Sequence, residues 1–153
     1  MRGKLETIVG AMFAGKTSEL LKRILWAKHQ NKKILVLKPS IDNRFAEELI
    51  VTHNNLSHKC YAMKNWEEAS SKYDLINGTY DIIFLDEVQF MHTEDTVSFV
   101  EQILQNGTDV ICAGLDQDSR GKPWETSSFL LGLSDKIIKI YGFCNVCGME
   151  ATK

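Results

Sequence analysis

The stretch Gly10-Ala-Met-Phe-Ala-Gly15-Lys16-Thr17 decides the fold of this chain. It fits the pattern G-x-x-x-x-G-K-[ST], whose glycines let the backbone curl until successive N–H groups point inward. Those donors, with the positive end of the following helix dipole, favour a phosphate anion. The apolar stretch Leu5–Val9 precedes the pattern, and Ser18–His29 follows it with helical spacing. This context predicts a phosphate-binding loop and disfavours a plain glycine-rich turn that carries a surface lysine.

The loop residues have distinct predicted roles. Lys16 supplies a positive charge for the β- and γ-phosphates of ATP, and the Thr17 hydroxyl is a hard oxygen ligand suited to Mg²⁺. The residues expected to contact the nucleotide are Gly10, Ala11, Met12, Phe13, Ala14, Gly15, Lys16, Thr17 and Ser18.

Strand-like and helix-like segments alternate along the rest of the chain. The predicted strands are Leu5–Val9, Lys33–Leu37, Ser57–Met63, Asp81–Leu85, Asp109–Leu115 and Lys136–Phe143. The predicted helices are Ser18–His29, Asn65–Ile76, Thr93–Gln105 and Ser127–Leu133. Such alternation predicts an α/β fold with a parallel central sheet flanked by helices, here a RecA-like P-loop NTPase. Ligands of these sheets bind where the strands end, so chemistry is expected directly after the strands.

Composition limits the partners of the protein. A chain of 153 residues with 44% hydrophobic residues suits one compact domain. The formal net charge is −2 and no basic strip is present, which argues against a nucleic-acid polymer as partner. We expect no membrane span, because no apolar run approaches the roughly 20 residues that a bilayer requires. The N-terminus lacks a signal-peptide pattern, so a cytoplasmic location is expected.

An acidic pair, Asp86-Glu87, ends the apolar strand Asp81–Leu85. Asp86 is the candidate to hold Mg²⁺, because phosphate-loop enzymes place a carboxylate at a neighbouring strand end. On an extended chain Glu87 points away from Asp86, where it can face a substrate and accept its proton. Alone, the pair equally fits two acids at the protein surface. It also does not separate an ATPase, which activates water, from a kinase, which activates an alcohol.

The chain resembles the thymidine kinases of the bacterial, animal and large-virus type over essentially its whole length. The strings that carry the resemblance are Gly10-Ala-Met-Phe-Ala-Gly-Lys-Thr-Ser-Glu-Leu-Leu, Leu37-Lys-Pro-Ser-Ile-Asp-Asn-Arg-Phe, Asp86-Glu-Val-Gln-Phe, Gly114-Leu-Asp-Gln-Asp, Lys122-Pro-Trp and Cys144-Asn-Val-Cys-Gly. The resemblance implies ATP-dependent phosphorylation of the thymidine 5′-hydroxyl, with Mg²⁺ and a nucleoside as the second substrate. It also implies a homotetramer.

The resemblance also implies roles for single residues. Glu87 is the general base for the 5′-hydroxyl. Phe90 packs on the thymine ring, and a buried core phenylalanine is its alternative interpretation. Met12 lines the same pocket as Phe90, and Leu115 and Asp116 form another wall of it. Asp42 and Arg44 lie near the triphosphate. Gln89 belongs to the nucleotide-binding residues, and its role is open. Asp42 and Arg44 also fit a surface ion pair.

The last residues contain the spacing of half a zinc site, Cys144 and Cys147. Structural Zn²⁺ is preferred to a redox pair or to two reduced cysteines, and such a site takes four ligands. Residues 1–143 are thus read as the nucleotide-binding kinase domain, and residues 144–153 as the shortened start of a zinc-binding lid. Cys60 and Cys112 are expected to be small buried hydrophobes.

Two departures from the family pattern concern the pocket: Ser119 replaces an aromatic residue, and Trp124 replaces a phenylalanine. A thymidine kinase is the first hypothesis for the protein. A P-loop ATPase without a nucleoside substrate and a non-catalytic nucleotide-binding relative are the alternatives.

Overall fold

The computed structural model describes residues 1–11, 14–40, 47–51, 57–143 and 150–151, of which 47–51, 142–143 and 150–151 are described as backbone only. The first half contains β1 (Leu5–Gly10), α1 (Lys16–His29), β2 (Ile34–Pro39), β3 (Glu47–Val51), β4 (Ser57–Met63) and α2 (Trp66–Lys72). The second half contains β5 (Ile82–Leu85), a 3₁₀ turn (Val88–Phe90), α3 (Thr93–Gln105), β6 (Asp109–Gly114), α4 (Glu125–Leu133), β7 (Lys136–Ile140), β8 (Gly142–Phe143) and β9 (Glu150–Ala151).

Seven strands form the central sheet in the order β3-β4-β2-β5-β6-β1-β7. Six of them run parallel, and only the edge strand β3 pairs antiparallel, with β4. The expected α/β fold with a parallel sheet flanked by helices is therefore confirmed. No helix among the described ranges is both long and apolar enough to cross a bilayer.

The sequence patterns predicted most helices and strands correctly, but they missed one strand and the ends of some elements. The strand Glu47–Val51 was not predicted, because it begins with two acidic residues and gains its order from a hairpin with β4. Asn65 caps α2 as expected, its side chain accepting from the Glu68 N–H, but the helix ends at Lys72 and not at Ile76. The strand expected over Lys136–Phe143 divides into β7 and β8, which pairs with β9 outside the central sheet.

Each face of the sheet buries its own apolar cluster. One face packs against α2, α3 and α4 around Trp66, Ile83, Leu85 and Ile103. The other packs against α1 around Ile24. Cys60 and Cys112 are both buried, as expected. Helices packed on both faces hold the sheet in place, so the ends of its strands keep a fixed arrangement.

Parallel pairing brings the strand ends to one edge. Val9 lies beside Gly114, and Leu85 lies between Leu37 and Cys112. The segments that follow β1, β2, β5 and β6 therefore meet at this edge, which is the arrangement that the alternating pattern predicted.

Trp66 is the largest of the fully buried side chains and gives a test of this packing. It is 2% exposed, stacks on Phe99 at 5.2 Å between ring centroids, and donates from Nε1 to Thr96 Oγ1 at 2.9 Å. We expect Trp66→Ala to lower the free energy of unfolding by about 3–5 kcal/mol, measured by urea denaturation. Trp66→Phe keeps a ring but loses the hydrogen bond, and should cost only about 1–2 kcal/mol. Equal losses in both variants would contradict ring burial as the main contribution.

Candidate active site

The loop between β1 and α1 turns sharply at Gly15. Gly15 has φ 96° and directly precedes α1, a backbone conformation that favours glycine. The Ala14 N–H donates to the Ala11 carbonyl at 3.2 Å, and the Glu19 N–H donates to the Gly15 carbonyl at 3.1 Å. These bonds start the helix at Lys16, so the first N–H groups of α1 face the loop. Met12 and Phe13 lie outside the described residues.

Close packing also explains the first glycine of the loop. A Cβ on Gly10 would lie 2.4 Å from the Ile140 carbonyl oxygen, so no larger residue fits where β1 passes β7. Gly10, the first residue of the motif, is thus needed because the backbones of β1 and β7 lie too close together for a side chain.

Lys16 is half-buried at the base of the loop. Its ammonium donates to the Ala11 carbonyl oxygen at 2.6 Å. Burial lowers the pKa of Lys16, and the carboxylates of Asp86, Asp116 and Glu87 oppose that shift. Acidic groups from the ends of two neighbouring strands therefore act on this one cation.

Asp86 is a buried carboxyl group at the end of β5. Its side chain is 7% exposed, and its Oδ1 accepts from the Glu87 N–H at 2.9 Å. Burial raises the pKa of Asp86 to about 6 and the neighbouring Glu87 adds to the rise, against the Glu87 N–H, Lys38 and Lys16. An oxygen ligand whose negative charge is costly in this position suits a hard cation, because the cation offsets that cost.

Glu87 differs from the sequence-based expectation. Its backbone is left-handed, with φ 52° and ψ 43°, and not extended, so the expected extended conformation was wrong. This conformation is uncommon for a residue other than glycine and costs on the order of 1 kcal/mol. The cause is the 3₁₀ turn Val88–Phe90, which packs so tightly that a Cβ on Gly114 would lie 2.7 Å from both Val88 and Gln89. Glu87 is half-buried beside Asp86 as a result.

An aromatic pair follows Glu87 at the edge of the site. Phe90 is 48% exposed, so the alternative of a buried core phenylalanine is wrong. Its ring meets Trp124 edge to face at 5.6 Å between centroids. The pair offers a flat apolar surface that a planar ring can cover.

Gln89 and Leu115 connect the 3₁₀ turn to the end of β6. Gln89 is 8% exposed, and its Oε1 accepts from the Leu115 N–H at 3.1 Å. This bond explains the burial of a polar side chain and ties half-buried Leu115 to the 3₁₀ turn that carries Phe90. Ser119, in contrast, is exposed within the loop that follows Leu115.

Lys139 is a residue of the site that sequence reasoning missed. Its ammonium lies 2.8 Å from Asp116 Oδ2. Lys136 and Lys139 flank two isoleucines in β7, a pattern that resembles a solvated edge strand. Only the parallel pairing of β1 with both β6 and β7 reveals that Lys139 can reach Asp116.

The structure describes most of the predicted site residues, and it places Lys16 under the influence of Asp86, Asp116 and Glu87 at one edge of the sheet. The described ones are Gly10, Ala11, Ala14, Gly15, Lys16, Thr17, Ser18, Asp86, Glu87, Gln89, Phe90, Leu115 and Asp116. The other predicted site residues, Met12, Phe13, Asp42, Arg44, Cys144 and Cys147, lie outside the described residues. Within the described ranges no group of three or more His, Cys, Asp or Glu side chains could hold a metal by itself.

Comparison with solved structures supports the fold. The replication initiator DnaA bound to AMPPCP and single-stranded DNA aligns with a TM-score of 0.54 and 14% identity. The alignment covers 90% of this chain and 40% of that chain. At this level of identity the likeness shows a common α/β fold and nothing about the role of the chain.

Comparison with sequences identifies the family. The model of the thymidine kinase family matches residues 3–153. A thymidine kinase of Pseudothermotoga lettingae (strain ATCC BAA-301 / DSM 14385 / NBRC 107922 / TMO) is 38% identical over 148 residues, which are 97% of this chain and 78% of that protein. Together with the strand–loop–helix and the acidic pair at the same sheet edge, these matches show that the chain belongs to the thymidine kinase family.

Proposed function

We propose that the γ-phosphate of ATP passes to the 5′-hydroxyl of thymidine in the cleft at the ends of β1, β5 and β6. Family membership gives the reaction, ATP-dependent phosphorylation of thymidine, and its nucleoside and nucleotide substrates. The observation that carries the location is the convergence of Lys16, Asp86 and Glu87 at this edge. None of the comparisons favours the alternatives of a P-loop ATPase without a nucleoside or of a non-catalytic relative.

The phosphate loop is the proposed triphosphate site. The N–H groups at the start of α1 and the Lys16 ammonium face the same loop, and both attract phosphate oxygens. Asp42 and Arg44 complete this site in the proposal, on the strength of the family resemblance. Charge neutralisation and positioning are what phosphoryl transfer chiefly requires.

Thr17 and Asp86 are the proposed residues for Mg²⁺. Thr17 lies in the first turn of α1, and Asp86 is a buried carboxyl group whose ionisation a cation would favour. Bound Mg²⁺ supplies neutralisation of the charge on the phosphate oxygens. These two residues fit the donor chemistry of that ion, which keeps several waters and takes few protein ligands.

Glu87 is the proposed general base. Glu87 is half-buried, follows Asp86 directly and precedes the 3₁₀ turn that carries Phe90, which supports a role next to both the metal site and the pocket for the base. Strained backbone is common at functional sites, because the surrounding packing must hold it. Proton removal from the 5′-hydroxyl makes that oxygen the nucleophile.

Phe90, Met12 and Leu115 are the proposed walls of the thymine pocket. The exposure of Phe90 and its contact with Trp124 support this role, since a buried ring could not meet a substrate. Gln89 stays in the nucleotide-binding set as a prediction. Its Oε1 is engaged with the Leu115 N–H, so its side chain also supports the pocket wall.

Three further features stay proposals. The division into a kinase domain, 1–143, and a zinc-binding lid segment from 144 agrees with the separate pairing of β8 with β9. That pairing places Phe143, the residue before Cys144, next to Glu150, and thus brackets the proposed zinc ligands Cys144 and Cys147. A homotetramer is implied by the family resemblance, and a cytoplasmic location stays an expectation from the sequence.

Glu87→Gln tests the proposed base. The variant keeps size and hydrogen bonding but removes the proton acceptor, so phosphate transfer to thymidine should fall by about 10²–10⁴-fold. Its affinity for ATP should stay within a few-fold of the parent. In the matched variant Lys16→Ala, ATP affinity itself should fall. Rates are measured by transfer of labelled γ-phosphate and affinity by equilibrium titration. A Glu87→Gln enzyme with the parental rate would rule out this assignment.

Asp86→Asn tests the cost of burying a carboxylate. Because the folded-state pKa is about 6, above its ordinary value of 3.8, the folded protein binds the proton more tightly than the unfolded chain. Stability therefore falls as pH rises from about 4 to about 6 and stays lower above that window. The variant should gain about 2–3 kcal/mol over the parent at pH 8 and little at pH 3.5, in metal-free denaturation. An equal difference at both pH values would exclude Asp86 titration as the cause.

Cobalt substitution tests the proposed zinc ligands. A thiolate bound to Co²⁺ gives a charge-transfer absorption band. Because Cys144 and Cys147 are only two of the four ligands that a structural site takes, we expect a substoichiometric band in the parent protein and no band in Cys144→Ser/Cys147→Ser. Cys60→Ala is the control, because Cys60 is buried in the central sheet and should leave the band unchanged. A band that survives the double substitution would show that other residues bind the metal.

A further inference from the structure

An ion pair crosses the end of β1 directly before the phosphate loop. β6 and β7 flank β1, and Val9 lies beside Gly114 on one side and beside Lys139 on the other. The Asp116 carboxylate follows Gly114, and its Oδ2 lies 2.8 Å from the Lys139 ammonium. The contact therefore joins two strands that are not neighbours, over the residue that leads into Gly10.

This pair is an unfavourable way to stabilise a fold. The Asp116 side chain is only 10% exposed, and its buried Oδ1 has no hydrogen-bond partner among the described residues. A buried carboxylate with an unsatisfied oxygen is costly. Its partner Lys139 is 38% exposed, so water screens the attraction that would offset this cost. Stability alone therefore gives no reason for this arrangement.

The position of Asp116 relative to Lys16 gives a reason. Asp116 is one of three carboxylates that act on the Lys16 ammonium, and the other two, Asp86 and Glu87, have proposed roles in the reaction. Lys16 lies against the Ala11 carbonyl, one residue beyond Gly10. Asp116 and Lys139 thus lie next to the end of β1, at the base of the loop that the Lys16 ammonium contacts.

We infer that Asp116, held by Lys139, is a positioning residue that sets where the Lys16 ammonium lies in the phosphate loop. With Lys139 in place, most of the Asp116 charge is balanced and its pull on Lys16 is moderate. Without Lys139, the bare carboxylate draws Lys16 away from the triphosphate. Without the Asp116 charge, Lys139 repels Lys16. This inference rests on the proposed role of Lys16.

Steady-state kinetics of Asp116→Asn and Lys139→Met test the inference. Each variant should raise the KM for ATP about tenfold, the effect of weakening one charge-assisted contact, while the KM for thymidine stays within about twofold. Lys139→Arg keeps the charge and should recover most of the ATP KM. Lys136→Met is the matched control: Lys136 lies on the same strand, 3.7 Å from Glu6, and its loss should leave both constants unchanged.

A purely structural role would give a different result. It would lower kcat in proportion to the folded fraction and leave the KM for ATP unchanged, which would overturn the inference. If one single variant fails to fold, the other decides, because each leaves one unbalanced charge of the pair beside Lys16. In Asp116→Asn/Lys139→Met both charges are absent, so its ATP KM should lie below that of the single variants, and a rise as large as theirs overturns the inference.

Lys16→Ala separates this inference from the proposed function. If Lys16→Ala loses ATP affinity while Asp116→Asn and Lys139→Met keep the parental ATP KM, only the inference is wrong. If Lys16→Ala keeps ATP affinity, the proposed role of Lys16 is wrong as well.

Discussion

The parallel pairing of β1 with β6 on one side and β7 on the other is the interaction on which the site depends. It places the end of β1 next to Gly114 and Ile140, and it requires a glycine at position 10. Because β5 joins the other side of β6, the same pairing brings Asp86 to the loop. Each functional group belongs to a different segment of sequence, and backbone hydrogen bonds of the sheet fix their spacing.

The site combines several features that oppose folding. A carboxyl group is buried at Asp86, a left-handed glutamate follows it, and a charged pair lies under the loop. The apolar clusters on both sides of the sheet offset these costs, since each contains many fully buried side chains. The candidate active site thus lies at the ends of the strands, at the border between the two apolar clusters and solvent.

The sequence alone predicted those features that depend on interactions between residues close together in the chain. The phosphate loop, the helix cap at Asn65 and the buried strand before Asp86 each have a signal within a few residues. The edge strand Glu47–Val51, the backbone of Glu87 and the contact of Lys139 with Asp116 have no such signal. They arise from pairing with β4, from the close approach of Gly114 to the 3₁₀ turn, and from the order of strands around β1. Tertiary contacts decide these features, and a single sequence does not display them.

The short distance along the chain between β7 and the outer hairpin has a mechanical consequence. Only Tyr141 separates β7 from β8, and the Lys139 ammonium lies 5.9 Å from the Tyr141 ring. One residue contributes two soft backbone torsions, so the hairpin has few ways to turn relative to the sheet. Any turn of the β8–β9 hairpin relative to the sheet must therefore occur at Tyr141, directly after the strand that packs against Gly10 of the phosphate loop.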